Sequence, residues 1–175
     1  ASVRVKCLQE VLKDSGYQTL WMNTLSPKFH NAGLFESLHG MQKFFDHDFY
    51  ASRGVSKRIG DWGFADREFY LESLNELDHV TTEGKPFFVN MLTISTHVPH
   101  HIIPEGPLPP SLLENKEITE EYQGYLSHLK YADGAFKEFV DELFKKEWAE
   151  RTLLVVLGDH SIPIGVHYPM EEVQK

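Results

Sequence analysis

A chain of 175 residues that is 41% hydrophobic, 13% aromatic and 25% charged, with a formal net charge of −9, is long enough for one domain with a true core and too apolar to be disordered. It has no apolar run of the ~18 residues that a bilayer crossing needs, and no basic run longer than Lys145-Lys146, which argues against nucleic acid as the main partner. The single cysteine, Cys7, excludes an internal disulfide and a Cys-x-x-Cys metal knuckle.

The sequence opens Ala1-Ser2-Val3 and moves directly into a helical period with Val5, Leu8, Val11 and Leu12, as an excised segment would, which leaves room for a targeting sequence or membrane anchor upstream. A helix over residues 3–13 should stop at Ser15-Gly16, and Cys7 within it reads as a buried thiol. Residues 17–22 read as a short strand, 34–38 as a short helix and Phe44-Phe45 as the start of a second extended piece. The polar, glycine-containing stretch 47–63 reads as a surface loop, and 65–77 as a helix carrying Phe69, Leu71, Leu74 and Leu77. Two short apolar runs, 86–92 (PFFVNML) and 152–157 (TLLVVL), have the pattern of strands covered on both faces. Between them Tyr122, Tyr125, Leu126, Leu129, Ala132, Phe136, Phe139, Val140 and Leu143 recur at three- and four-residue steps and predict the longest helix, 118–143. Asp133 is placed on its apolar face as a partnered, buried carboxylate. The proline-rich stretch 100–110 must be a loop. Alternating strands and helices of this kind predict an α/β fold with a mostly parallel sheet.

Ligands of open α/β sheets gather outside the carboxyl ends of the strands. Both apolar runs lead into polar residues there: the first into Thr93-Ile94-Ser95-Thr96-His97-Val98-Pro99-His100-His101, the second into Gly158-Asp159-His160-Ser161. A hard carboxylate oxygen beside an imidazole can hold a divalent cation. A capping aspartate next to a surface histidine has the same local sequence, and the cluster His97, His100, His101 also fits a plain polar loop. His39, His47, His79, His128 and His167 read as surface or structural histidines. His30 stands apart because it follows an aromatic residue in a loop just after a predicted strand.

Four stretches together carry a family resemblance: LKDSGY (12–17), PFFVNMLTISTHVPH (86–100), Tyr131-Ala132-Asp133, and LLVVLGDHS (153–161). Their order resembles the sulfatase branch of the alkaline phosphatase superfamily, which includes lipoteichoic acid synthase-like phosphoglycerol transferases and phosphoethanolamine transferases. The resemblance implies a three-layer α/β/α sandwich, incomplete in this chain. It implies that Asp159 and His160 are ligands of a divalent metal (Mn, Mg, Zn or Ca), and that His97 contacts the transferred phosphate or sulfate. His30 and His100 are further candidate substrate contacts. The run Phe29-His30-Asn31-Ala32 lacks the arginine that lipoteichoic acid synthases carry in the matching stretch.

In that family the nucleophile, a Thr, Ser or modified Cys, and the first acidic metal ligand precede the region where this chain begins, and Cys7 does not match the nucleophile's context. The expectation is therefore that residues 1–175 form a single sulfatase-like segment lacking the nucleophile region and the C-terminal part, inactive alone. The parent would be a metal-dependent hydrolase or transferase acting on an anionic, lipid-linked ester. Transfer of phosphoglycerol or phosphoethanolamine to a cell-envelope glycan or lipid is favoured over sulfate ester hydrolysis, although His100 after the proline leans toward sulfatases. It would sit on the periplasmic or extracellular face of a bacterial inner membrane, where the parent has room for a membrane anchor outside this segment. The competing expectation is a non-catalytic α/β binding or regulatory module with a partial metal site.

Overall fold

The fold is built around one strand, Gln18–Asn23 (β1), in which every residue is buried. The computed structural model describes residues 5–26, 28–59, 62–100, 108–110 and 119–160. In it β1 lies between Lys43–Phe45 (β2) and Phe87–Leu92 (β3), and all three strands are parallel. The β1–β3 register runs from Gln18 opposite Phe87 to Asn23 opposite Leu92. Parallel neighbours require crossovers: Ala32–Leu38 (α2) lies between β1 and β2, and His47–Ser52 (α3) and Asp66–Thr81 (α4) lie between β2 and β3, while Leu8–Asp14 (α1) precedes β1 and Glu120–Leu143 (α5) follows β3.

Strand alternation divides the side chains of β1 between two faces. Leu20 and Met22, both fully buried, pack with Phe69, Leu77 and Val80 of α4 and with Tyr50 and Phe45. On the opposite face Thr19 donates its hydroxyl to the Gly40 carbonyl at 2.6 Å. Gly40 itself, at φ 101°, lies so close to Glu10 of α1 that a Cβ would come within 2.9 Å of its backbone. Behind α4, the long helix α5 presents Tyr131, Ala135, Phe139 and Leu143, with Tyr70 of α4 stacked on Phe139 at 4.6 Å. Beyond the end of α5, Lys146 and Trp148 both hydrogen-bond the Asp78 carboxylate of α4, at 2.6 and 2.9 Å. Burial alone would raise the Asp78 carboxyl; these two bonds outweigh it and hold it below its ordinary value.

Several elements differ from the sequence expectation. Helix α1 starts at Leu8, because Cys7 is its N-cap: the Glu10 carboxylate accepts from the Cys7 N–H at 3.0 Å, so Cys7 is half-buried at a helix start rather than a core thiol. Stretch 47–63 is no surface loop. Asp46 accepts from the Asp48 and Phe49 N–H groups and starts α3, which carries the fully buried Tyr50 into the core, and Val55 and Ile59 are buried as well. The Tyr50 hydroxyl donates to Ser73 Oγ at 2.8 Å, and Ser73 in turn donates to the Phe69 carbonyl.

Asp133 is exposed. At 100° per residue it lies about 200° from both Tyr131 and Ala135, on the solvent side of α5. Strand β3 is only partly covered, with Leu92 38% exposed. The run 152–157 joins no strand among the described residues, and its Leu153 and Leu157 are 87% and 85% exposed. An apolar run becomes a buried strand only by pairing its peptide groups with a neighbour, and none pairs with it among the described residues.

Candidate functional site at the carboxyl edge of the sheet

Three loops converge at the carboxyl ends of β1 and β3. The first, residues 24–26 and 28–31, leaves β1; the second, 93–100, leaves β3; and the segment entering α4 lies between them. Gly63 makes that convergence possible, since a Cβ there would stand 2.5 Å from Thr24 Oγ1 and 3.2 Å from Ile94 Cγ2. It brings Trp62 into contact with both loops. The Trp62 ring lies 4.5 Å from the His97 imidazole and 5.0 Å from Phe29, and Phe29 packs edge-on against His30 at 4.3 Å. His30 and Asn31 both have positive φ, 49° and 56°, a conformation in which two successive non-glycine residues store strain.

His97 is half-buried, and its backbone N–H donates to the Ile94 carbonyl at 2.9 Å. Its Nδ1 lies 2.6 Å from the Val98 carbonyl oxygen; a carbonyl only accepts, so Nδ1 carries the proton. That leaves Nε2 as the chemically available atom, an acceptor in the neutral ring and a donor in the imidazolium.

The loop bearing His97 is tied down from beneath. Asp66, the first residue of α4, is 2% exposed; its Oδ1 accepts from the Ile94 and Ser95 N–H groups at 2.9 and 3.1 Å, and its own N–H donates to Ser95 Oγ at 2.9 Å. Burial pushes the Asp66 carboxyl up, opposed by those hydrogen bonds from Ile94 and Ser95. His128 of α5, fully buried, donates from Nδ1 to the Ser95 carbonyl at 2.7 Å. Further along, His100 donates from Nε2 to the Thr96 carbonyl at 3.0 Å and rests against Tyr125 and His128. Gly124 of α5 lets the loop approach, because a Cβ there would be 2.4 Å from the His100 carbonyl oxygen.

His97, His30 and Trp62 thus share one contiguous surface, and His100 occupies the far end of the same loop, engaged with the main chain and α5. His101 and His167 lie outside the described residues. Asp159 and His160 follow the exposed run 152–157. The His160 N–H donates to Asp159 Oδ1 at 2.9 Å, His160 Nε2 lies 3.6 Å from Asp159 Oδ2, and both side chains are about two-thirds exposed (67% and 63%). A carboxylate and an imidazole are donor types that a divalent cation accepts, so the pair fits such an ion in kind. Among the described residues no group of three His, Cys, Asp or Glu side chains converges to complete a shell.

Trp62, Asp66 and the specific partnership of His128 do not stand out in the sequence. Their signals were faint but present: a Trp-Gly pair in a supposed loop, and an aspartate at the first position of a strongly periodic helix.

Comparison with known proteins places this geometry. The sulfatase family profile matches residues 3–174, nearly the whole chain. The chain belongs to the sulfatase family. Within the family it is similar to the lipoteichoic acid synthase of Staphylococcus saprophyticus, 28% identical over 148 residues that cover 85% of this chain and 22% of that protein. Phosphoglycerol transferase I of Xanthomonas axonopodis pv. citri is 27% identical over 158 residues, 89% of this chain and 22% of its own length. This sulfatase-family chain therefore spans about a fifth of these curated relatives. Among solved structures, the lipoteichoic acid synthase LtaP from Listeria monocytogenes superposes with a TM-score of 0.65 at 25% identity, over 77% of this chain and 32% of that one. A protein in the alkaline phosphatase superfamily from Vibrio parahaemolyticus shares the fold, with a TM-score of 0.61 at 24% identity over 81% of this chain and 32% of its own. The parallel sheet flanked by helices is thus part of an alkaline phosphatase-like core.

Proposed function

We propose that this chain is the central segment of a longer sulfatase-family transferase that moves a phosphoglycerol group from an anionic lipid to a cell-envelope acceptor. The observation that carries it is His97: a half-buried imidazole on the carboxyl edge of a parallel sheet, with Nδ1 committed to the Val98 carbonyl and Nε2 left to meet a ligand. Similarity to a lipoteichoic acid synthase and a phosphoglycerol transferase supports this choice of substrate class. In this role His97 Nε2, protonated, donates to an oxygen of the phosphoryl group, and that donation strengthens as negative charge grows there during transfer.

Asp159 and His160 would hold a divalent metal, which when bound neutralises charge on the ester oxygens and the attacking group. The nucleophile is assigned to the part of the parent preceding Ala1. Trp62 and Phe29 wall one side of His97, where an apolar surface excludes water from the reacting group. His30, at the end of that wall, is assigned to the substrate's glycerol end, and His100 to holding the loop. No helix among the described residues is long and apolar enough to cross a membrane; the anchor and the location on the outer face of a bacterial membrane belong to the proposed parent.

The test uses the full-length protein and a phosphatidylglycerol with a fluorescent acyl chain, read as release of diacylglycerol. His97→Ala is expected to lower turnover by about 100-fold or more. Release of sulfate from an aryl sulfate, with no action on the lipid, would instead make the parent a sulfatase. Asp159→Ala and His160→Ala are each expected to weaken Mn²⁺ affinity by more than about 10-fold, since loss even of a residue outside the coordination shell costs that much. Unchanged metal affinity in both would remove the pair from the metal site.

A further inference from the structure

The loop that carries His97 is held by more ionisable, buried chemistry than a turn requires. Ser95 is fully buried and all three of its polar groups are engaged: N–H to Asp66 Oδ1, Oγ to the Asp66 N–H, and carbonyl to His128 Nδ1. The two partners come from different helices, Asp66 from the start of α4 and His128 from the middle of α5, and they are 2% and 0% exposed. Burying a carboxylate and an imidazole is costly unless each is partnered, and a serine or asparagine would satisfy the same peptide groups at lower cost. From Asp66 the chain of bonds continues to the site in two steps: Asp66 Oδ1 accepts from the Ile94 N–H, and the Ile94 carbonyl accepts from the His97 N–H. Exposed Thr96 and half-buried His97 follow immediately after this anchor.

Resting on the phosphate-contact role given to His97 above, we propose that Asp66 and His128 are positioning residues for it. They form a two-helix clamp on the Ser95 peptide that sets where His97 Nε2 stands relative to the transferred group. Neither reaches the reacting atoms; both act through the geometry of residues 94–97. The clamp also couples the site to the α4–α5 packing of Tyr70 against Phe136 and Phe139, so the imidazole is fixed by the domain core rather than by its own flexible loop.

A positioning residue affects the chemical step, because a displacement of about 1 Å in a reacting group can cost 10²-fold in rate. In the full-length protein, with the fluorescent phosphatidylglycerol as probe, Asp66→Ala and His128→Ala are each expected to lower kcat by roughly 10- to 100-fold with KM within about 2-fold. Asp66→Asn keeps the Oδ1 acceptor and is expected to recover kcat to within about 3-fold of wild type, as a merely charge-based role would not. The deciding measurement is a double-mutant cycle. If Asp66 acts through His97, adding Asp66→Ala to His97→Ala changes kcat by less than about 2-fold.

A second full loss in the double variant would overturn the clamp while leaving the role of His97 standing. Wild-type turnover in His97→Ala alone would instead overturn the phosphate-contact role, and the clamp with it. Melting curves accompany each variant. Should Asp66→Ala fail to fold, the cycle of His128→Ala with His97→Ala, together with Asp66→Asn, carries the same comparison.

Discussion

Two segments of this chain follow apolar runs and end in site-type residues, yet they are held in opposite ways. Residues 93–100 leave β3, which pairs with β1 over six positions, and are then anchored by Asp66, His128 and the close approach at Gly124. Residues 158–160 leave the second apolar run, 152–157, which has no strand partner among the described residues, and Asp159 and His160 stand exposed, bonded to each other. Donor chemistry is present in both. Defined geometry is present only where elements distant in sequence press on the loop, because a side chain's position is set by the partners that satisfy its backbone and not by its own identity.

The largest expected effect separates the strands. Leu20→Ala, in the middle of β1, should destabilise the chain by about 2–5 kcal/mol in urea unfolding, whereas Leu157→Ala should stay within about 0.5 kcal/mol. A Leu157→Ala loss as large as that of Leu20→Ala would show the second run to be packed after all and would erase the contrast. The next effect separates two glycines. A Cβ at Gly124 meets the His100 carbonyl oxygen at 2.4 Å, so Gly124→Ala should be destabilising by roughly 1–3 kcal/mol despite the better helix propensity of alanine. Among the described residues Gly158 has no atom beyond its chain neighbours within 4 Å of the corresponding point, and Gly158→Ala should leave the melting temperature nearly unchanged.

An effect of comparable size tests the anchor itself. Ser95→Ala removes the oxygen that accepts the Asp66 N–H and should cost about 1–3 kcal/mol, read by denaturant unfolding. The smallest is a pH dependence. Burial raises the Asp66 carboxyl above its ordinary value of 3.8, so the folded protein holds that proton more tightly than the unfolded chain. Its contribution to stability is then fully present below pH 3.8 and is lost as pH rises through the native value. Asp78, held below its ordinary value by Lys146 and Trp148, has the opposite sign: its contribution is lost as pH falls through its native value. Asp66→Asn should remove the first slope from a set of melting curves and leave the second.

Periodicity carried the sequence reading where elements are long. The three- and four-residue recurrence of apolar side chains located α5, and the compact apolar run at 86–92 located β3. Short elements escaped it: α3 has six residues, too few to display a period, and only its capping aspartate, Asp46, marked it. Asp133 was misplaced because residues one or two positions from an apolar stripe read as members of it until the helix rotation is measured against its actual contacts. His128 was read only as surface or structural, since nothing local distinguishes a histidine that reaches the Ser95 carbonyl 33 positions away.

By itself the sequence determined the class of fold, the family motifs and the residue types able to meet an anionic ester: His97 after one strand-like run, Asp159 and His160 after another. These depend on local pattern, which is written along the chain. Tertiary structure alone decided that Trp62 walls His97, that Asp66 and His128 clamp its loop from two helices, and that 152–157 stands unpaired and exposed among the described residues. Each of these turns on which distant peptide groups and surfaces meet, and burial and hydrogen bonding settle that only when the whole chain has folded.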